Sequence, residues 1–151
     1  MIPPRASPPN SAQPADSHVV EILVFFSLLA AALALGIETA LPLLGVAFRP
    51  GAGADPLGLS LKSAAVFSTA LYAARRLPRW AFAAGFFIGV FSSTLYEMAM
   101  IFGVLSLGLL APDVFFKRLL ATVTAAVIFG ALAGLIAALQ AHGTRRESQR
   151  E

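Results

Sequence analysis

The sequence has no cysteine and little charge. Without cysteine it offers no disulfide, no thiolate metal site and no cysteine nucleophile. Only 13% of its 151 residues are Asp, Glu, Lys or Arg, whereas 58% are hydrophobic. A soluble domain of this length needs more charge to cover its surface, so the composition predicts a single-domain membrane protein.

Catalytic motifs are missing too. The two histidines, His18 and His142, lie outside the long apolar stretches, and there is no H-E-x-x-H, G-x-S-x-G or phosphate-binding loop. We therefore predict a protein that is not an enzyme and that holds no metal or cofactor. The net charge of +3 does not indicate nucleic-acid binding, because the basic residues sit at the ends of apolar segments, where topology signals lie.

The apolar residues form four long stretches, at about residues 20–48, 57–74, 80–111 and 116–141. At about 1.5 Å per residue, even the shortest is just long enough to cross a hydrocarbon core of about 30 Å. We predict an all-α, polytopic transmembrane bundle over residues 19–141. A Pro- and Ser-rich tail, residues 1–18, is expected to be disordered, and a basic tail follows at 142–151.

The stretch at 80–111 is long for one span, and a break near Ser92-Ser93-Thr94 would give five spans in place of four. Four spans put seven basic residues on one side of the membrane and four on the other, whereas five spans split them six to five. The positive-inside rule therefore favours four spans with both termini in the cytoplasm. The cytoplasmic turn then holds Arg75, Arg76 and Arg79 with Trp80 as an interfacial anchor, and Glu21 is expected to pair with these arginines.

Three charged residues, Glu38, Lys62 and Glu97, lie inside the predicted spans at similar depth. A charge at mid-membrane costs roughly 2.5–3.5 kcal/mol, so paired or protonated groups are expected there. The cluster is typical of a proton or ion site, or of a polar contact that receives a partner subunit. The structural alternatives are a buried Lys–Glu pair that fixes helix register, or side chains that reach to the interface.

Small residues recur every four positions in the last two spans, which places them on one helix face. In the third span these are Gly85, Gly89 and Ser93, and in the fourth Gly130 and Gly134. Such stripes let helix backbones approach closely in lipid. They predict either seams within one chain or an interface with a partner protein or a second copy.

The order of features from Pro42 onward resembles the MreD family of rod-shape proteins. The resemblance is carried by Phe48-Arg49-Pro50, by Leu77-Pro78-Arg79-Trp80, by the run from Gly85 to Phe91 (G-F-F-I-G-V-F) and by the basic end. It implies a small polytopic protein of the bacterial inner membrane that works beside MreC in wall elongation and cell shape. Family members usually carry an Asp where this chain has Ser92 and Ser93, and they tend to have extra spans.

Two functional hypotheses follow. The first is a non-enzymatic membrane subunit or scaffold of a bacterial envelope complex, bound to lipid and to another membrane protein or to itself. The second is a small transporter or ion-conducting subunit that uses Glu38, Lys62 and Glu97. We favour the first, because a solute path usually needs more donors and acceptors than these spans offer.

Overall fold

A computed structural model describes residues 14–43, 56–102 and 112–147. These residues form four α-helices: α1 (Pro14–Leu43), α2 (Pro56–Arg76), α3 (Ala81–Met100) and α4 (Pro112–Glu147). Each contains a segment long and apolar enough to cross a membrane, which confirms the predicted all-α bundle of four spans. The predicted loop between α1 and α2 lies outside the described residues.

The third helix is continuous through Ser92, Ser93 and Thr94, where the five-span alternative placed a break. A π-helical turn at residues 101–102 follows it, and residues 103–111 lie outside the described part of the chain. Ser93 and Thr94 both donate to the Val90 carbonyl oxygen at 2.9 Å. Hydroxyl groups in a helix find such acceptors one turn back, so they do not interrupt it.

Two helices extend farther than the sequence predicts. α1 begins at Pro14, so residues 14–18 of the expected disordered tail are helical. Proline suits the first helical position, because an N–H there has no partner within the helix. α4 runs to Glu147, so residues 142–147 of the expected basic tail are helical too. Once a helix exists, each further residue adds a hydrogen bond at little cost, and basic residues at its C-terminus favour it.

The middle helices α2 and α3 each pack against all the other helices, whereas the backbones of α1 and α4 stay more than 8 Å apart between Cα atoms within the described ranges. Small side chains fill the interior, among them Ala30, Ala70, Ala73 and Ala133, each with no exposed surface. Large apolar side chains point outward instead, as expected for a bundle whose solvent is lipid. Well-exposed examples are Phe25, Phe82, Leu120, Leu132 and Leu139.

A tight turn joins α2 to α3. Leu77 is buried there, and its N–H reaches the carbonyl oxygens of Ala73 and Ala74, each at 3.2 Å. The Trp80 N–H closes the turn on the Leu77 carbonyl oxygen at 2.9 Å. The Arg75 Nε donates to Gln140 Oε1 at 3.1 Å, so the C-terminal part of α4 lies at the same end of the bundle as this turn.

Candidate functional site

A buried ion pair joins α1 to α2. The Lys62 Nζ lies 2.8 Å from Glu38 Oε2, and the two side chains are 9% and 16% exposed. Lys62 stands about 21 Å along α2 from Arg76 at 1.5 Å per residue, so the pair lies toward the end of the bundle opposite the arginine turn. Because a lone charge is expensive at this depth, mutual neutralisation is the physical reason for the contact.

Tyr96 of α3 completes a ring of hydrogen bonds with this pair. Its hydroxyl donates to Glu38 Oε2 at 3.0 Å and accepts from Lys62 Nζ at 3.2 Å. The Lys62 Nζ also lies 5.0 Å from the centroid of the Tyr96 ring, and Tyr96 is 1% exposed. We call Lys62, Glu38 and Tyr96 the polar ring; it ties α1, α2 and α3 together at one level.

Sequence reasoning missed Tyr96. The available signal was its spacing along the helix. Tyr96 continues the buried face of Ile88 and Ser92 at intervals of four residues, and a buried tyrosine hydroxyl usually has a hydrogen-bond partner.

Glu97, the third member of the predicted charge cluster, is buried on α3 at 5% exposure. Lys62 forms an ion pair with Glu38. Glu97 follows Tyr96 directly in the chain, so its side chain leaves α3 about 100° away from that of Tyr96.

A small cavity adjoins the polar ring, and all four helices line it. Its polar walls come from Lys62, Ser63, Ser92, Ser93, Tyr96 and Thr122, and its apolar walls from alanine, leucine and valine side chains. The cavity volume of about 20 Å³, where one water requires roughly 10–15 Å³ on the same measure, leaves room for about one water molecule. An organic solute does not fit in this conformation.

The glycine stripes of α3 and α4 pack directly against each other. A Cβ atom on Gly130 would lie 2.5 Å from the Gly85 carbonyl oxygen, and one on Gly89 would lie 2.5 Å from the Ala126 carbonyl oxygen. A Cβ on Gly134 would lie 2.8 Å from the Ala81 carbonyl oxygen, and Ser93 is buried on the same stripe. The structure thus places these residues in a seam within one chain.

The predicted interface anchors cluster at the α2–α3 turn. Arg75 contacts Gln140, Arg76 donates to the Tyr72 hydroxyl at 2.7 Å, and Arg79 and Trp80 are exposed. Glu21 was expected to pair with these arginines, but its carboxylate lies 3.7 Å from His18 Nδ1. The reason is local: residues three apart share a helix face, so His18 is within reach of Glu21 on the same helix.

Comparison of the chain with family models, with curated proteins and with solved structures gave no match. Within the described ranges, no three His, Cys, Asp or Glu side chains lie close enough together to hold a metal ion. What the structure shows is therefore a four-span membrane helix bundle with a buried polar ring.

Proposed function

We propose that the protein is a non-catalytic integral membrane subunit that assembles with another protein of a bacterial envelope complex. The polar ring is the observation that carries this proposal. A transport site must exchange polar contacts with its solute. Here Lys62, Glu38 and Tyr96 contact one another, and the adjoining cavity has room for about one water. The ring therefore fits the role of a clamp between helices better than that of a binding site.

The finer proposal is a role in wall elongation and cell shape at the inner membrane. It is supported by the resemblance of the Leu77–Trp80 turn and the Gly85–Phe91 run to MreD proteins. Because the glycine stripes contact each other within the chain, the partner is expected to bind the outward apolar faces. Phe87 and Phe91 offer such a face on α3, with their rings stacked at 5.1 Å between centroids.

Site-specific photo-crosslinking in growing cells tests the proposal. A photoreactive residue at Phe91, which is exposed, is expected to capture a second membrane protein, and the same residue at buried Ala84 serves as the matched control. A discrete adduct from Phe91 or another outward position, absent from the Ala84 variant, supports the proposal. If every outward position gives only lipid adducts and the chain purifies alone, the subunit role is wrong.

A small ion-conducting subunit is the second candidate, and the cavity beside Lys62 favours it because its lining includes Ser63, Ser92 and Thr122. Flux of protons and alkali cations into liposomes that contain the purified chain tests this function. Flux above that of protein-free liposomes, abolished by Glu38→Gln or Glu97→Gln, would favour conduction over the subunit role. Flux at the protein-free level, or flux that neither change affects, counts against it.

A further inference from the structure

The arginine turn carries positive charge that no carboxylate pairs with among the side chains that the structure describes. Arg75 and Arg76 end α2, and Arg79 follows in the turn. The ion pairs His18–Glu21 and Lys62–Glu38 do not include these arginines. Three guanidinium groups within five positions repel one another, so they favour an anion beside them.

Two of the three guanidinium groups are held in fixed positions. The Arg76 guanidinium carbon lies 4.8 Å from the centroid of the Tyr72 ring, and the Tyr72 hydroxyl accepts one of its N–H groups. Tyr72 in turn packs on Phe26 of α1 at 5.5 Å between ring centroids. The Arg75 Nε donates its hydrogen bond to Gln140 Oε1. A guanidinium has five N–H donors, so each of these arginines keeps donors for a further acceptor.

The neighbours of these groups indicate which anion fits. Trp80 flanks the turn and is 59% exposed, as expected of a side chain at the headgroup level. Tyr72, one turn before Arg76 on α2, and Phe82, two residues after Trp80 on α3, each expose about half of their surface. A ligand that matches both the arginine turn and the apolar helix surface has a phosphate at the arginines and an apolar chain along the helices.

We infer that the turn with Arg75, Arg76 and Arg79 is a binding site for an anionic phospholipid. The phosphodiester accepts hydrogen bonds from the guanidinium groups, which suit it because they bind phosphate in a bidentate manner. The acyl chains lie against the exposed apolar surface beside Tyr72 and Phe82. This site is at the opposite end of the bundle from the polar ring and does not depend on the function proposed above.

Native mass spectrometry of the full chain tests this site. The chain is released from nanodiscs that contain equal amounts of phosphatidylglycerol and phosphatidylcholine with the same acyl chains. We expect phosphatidylglycerol to be retained preferentially. Arg75→Gln/Arg76→Gln should weaken its affinity about 30-fold, since each basic residue near the surface strengthens binding to an anionic lipid about fivefold. The matched control is Lys117→Gln/Arg118→Gln, which removes the same charge near the start of α4.

Tyr72→Phe keeps the ring and removes the hydroxyl acceptor that orients Arg76, so it tests the site without removing charge. We expect an affinity for phosphatidylglycerol about threefold lower, with an unchanged melting temperature in phosphatidylcholine. Equal retention of the two lipids, or an equal loss in the Lys117/Arg118 control, would overturn the inference. So would complete displacement of phosphatidylglycerol by inorganic phosphate at equimolar concentration, because the site would then recognise phosphate without lipid.

Discussion

Gly130 of α4 lies against the backbone of Gly85 of α3, so closely that a Cβ atom on Gly130 would stand 2.5 Å from the Gly85 carbonyl oxygen. Gly130→Ala must therefore push the two helices apart. Overpacking of this kind usually costs about 1–3 kcal/mol, and the gain in helix propensity recovers only about 0.5–1 kcal/mol. We expect a net loss of stability, measured as the midpoint of SDS-induced unfolding in micelles.

Gly36→Ala is the matched control for this prediction. Gly36 also lies inside a long helix, but a Cβ atom there meets nothing within 4 Å. Without a steric penalty, the change should be neutral or stabilise the chain by about 0.5–1 kcal/mol. If Gly130→Ala changes the stability as Gly36→Ala does, the close packing of α3 against α4 is wrong.

Tyr96→Phe tests the hydroxyl of the polar ring. The change keeps the buried aromatic ring and its contact with Lys62, but it removes one donor to Glu38 and one acceptor for Lys62. Hydrogen bonds to charged groups contribute about 1.5–3 kcal/mol, so we expect a loss in that range in the same unfolding assay. A loss below about 0.5 kcal/mol would show that the hydroxyl does not stabilise the ion pair.

The absence of cysteine makes the predicted orientation simple to test, because a single introduced cysteine is the only thiol. Pro78→Cys places it in the exposed arginine turn, and Ala52→Cys places it in the sequence between α1 and α2. In intact spheroplasts, an impermeant maleimide should label Ala52→Cys at once and Pro78→Cys only after lysis. The reverse pattern would show that the termini and the arginine turn face outward.

The sequence predicts much of the fold because its strongest signals are local. Four long apolar stretches give the four spans, and spacing by four residues gives the glycine stripes of α3 and α4. Each of these signals can be detected within a single helix, without knowledge of its neighbours. The sequence predicts a later start for α1 and an earlier end for α4 than the structure shows. Pro14 permits the earlier start of α1, and nothing at Gly143 ends α4.

Contacts between helices are harder to predict, because they depend on how each helix is rotated about its axis. Counting residues from the cytoplasmic ends of the first and third spans predicts that Glu38 and Glu97 lie at similar depth, and Lys62 enters the same layer from the outer side. It did not decide which acid meets the lysine, nor that Tyr96 lies beside both Lys62 and Glu38. Depth follows from residue number alone, whereas partner choice follows from the packing of three helices at once.

The interaction of Lys62 with Glu38 is the basis for treating the polar ring as a structural clamp, and a double-mutant cycle tests it most directly. Lys62→Met alone leaves the Glu38 carboxylate buried without its cation, and losing one member of a buried pair typically costs about 3–5 kcal/mol. Lys62→Met/Glu38→Gln removes both charges and should cost much less than the sum of the two single changes. The measurement is the free energy of unfolding of the four proteins in micelles. We predict a coupling of about 1–3 kcal/mol, whereas additivity within about 0.5 kcal/mol would contradict the clamp.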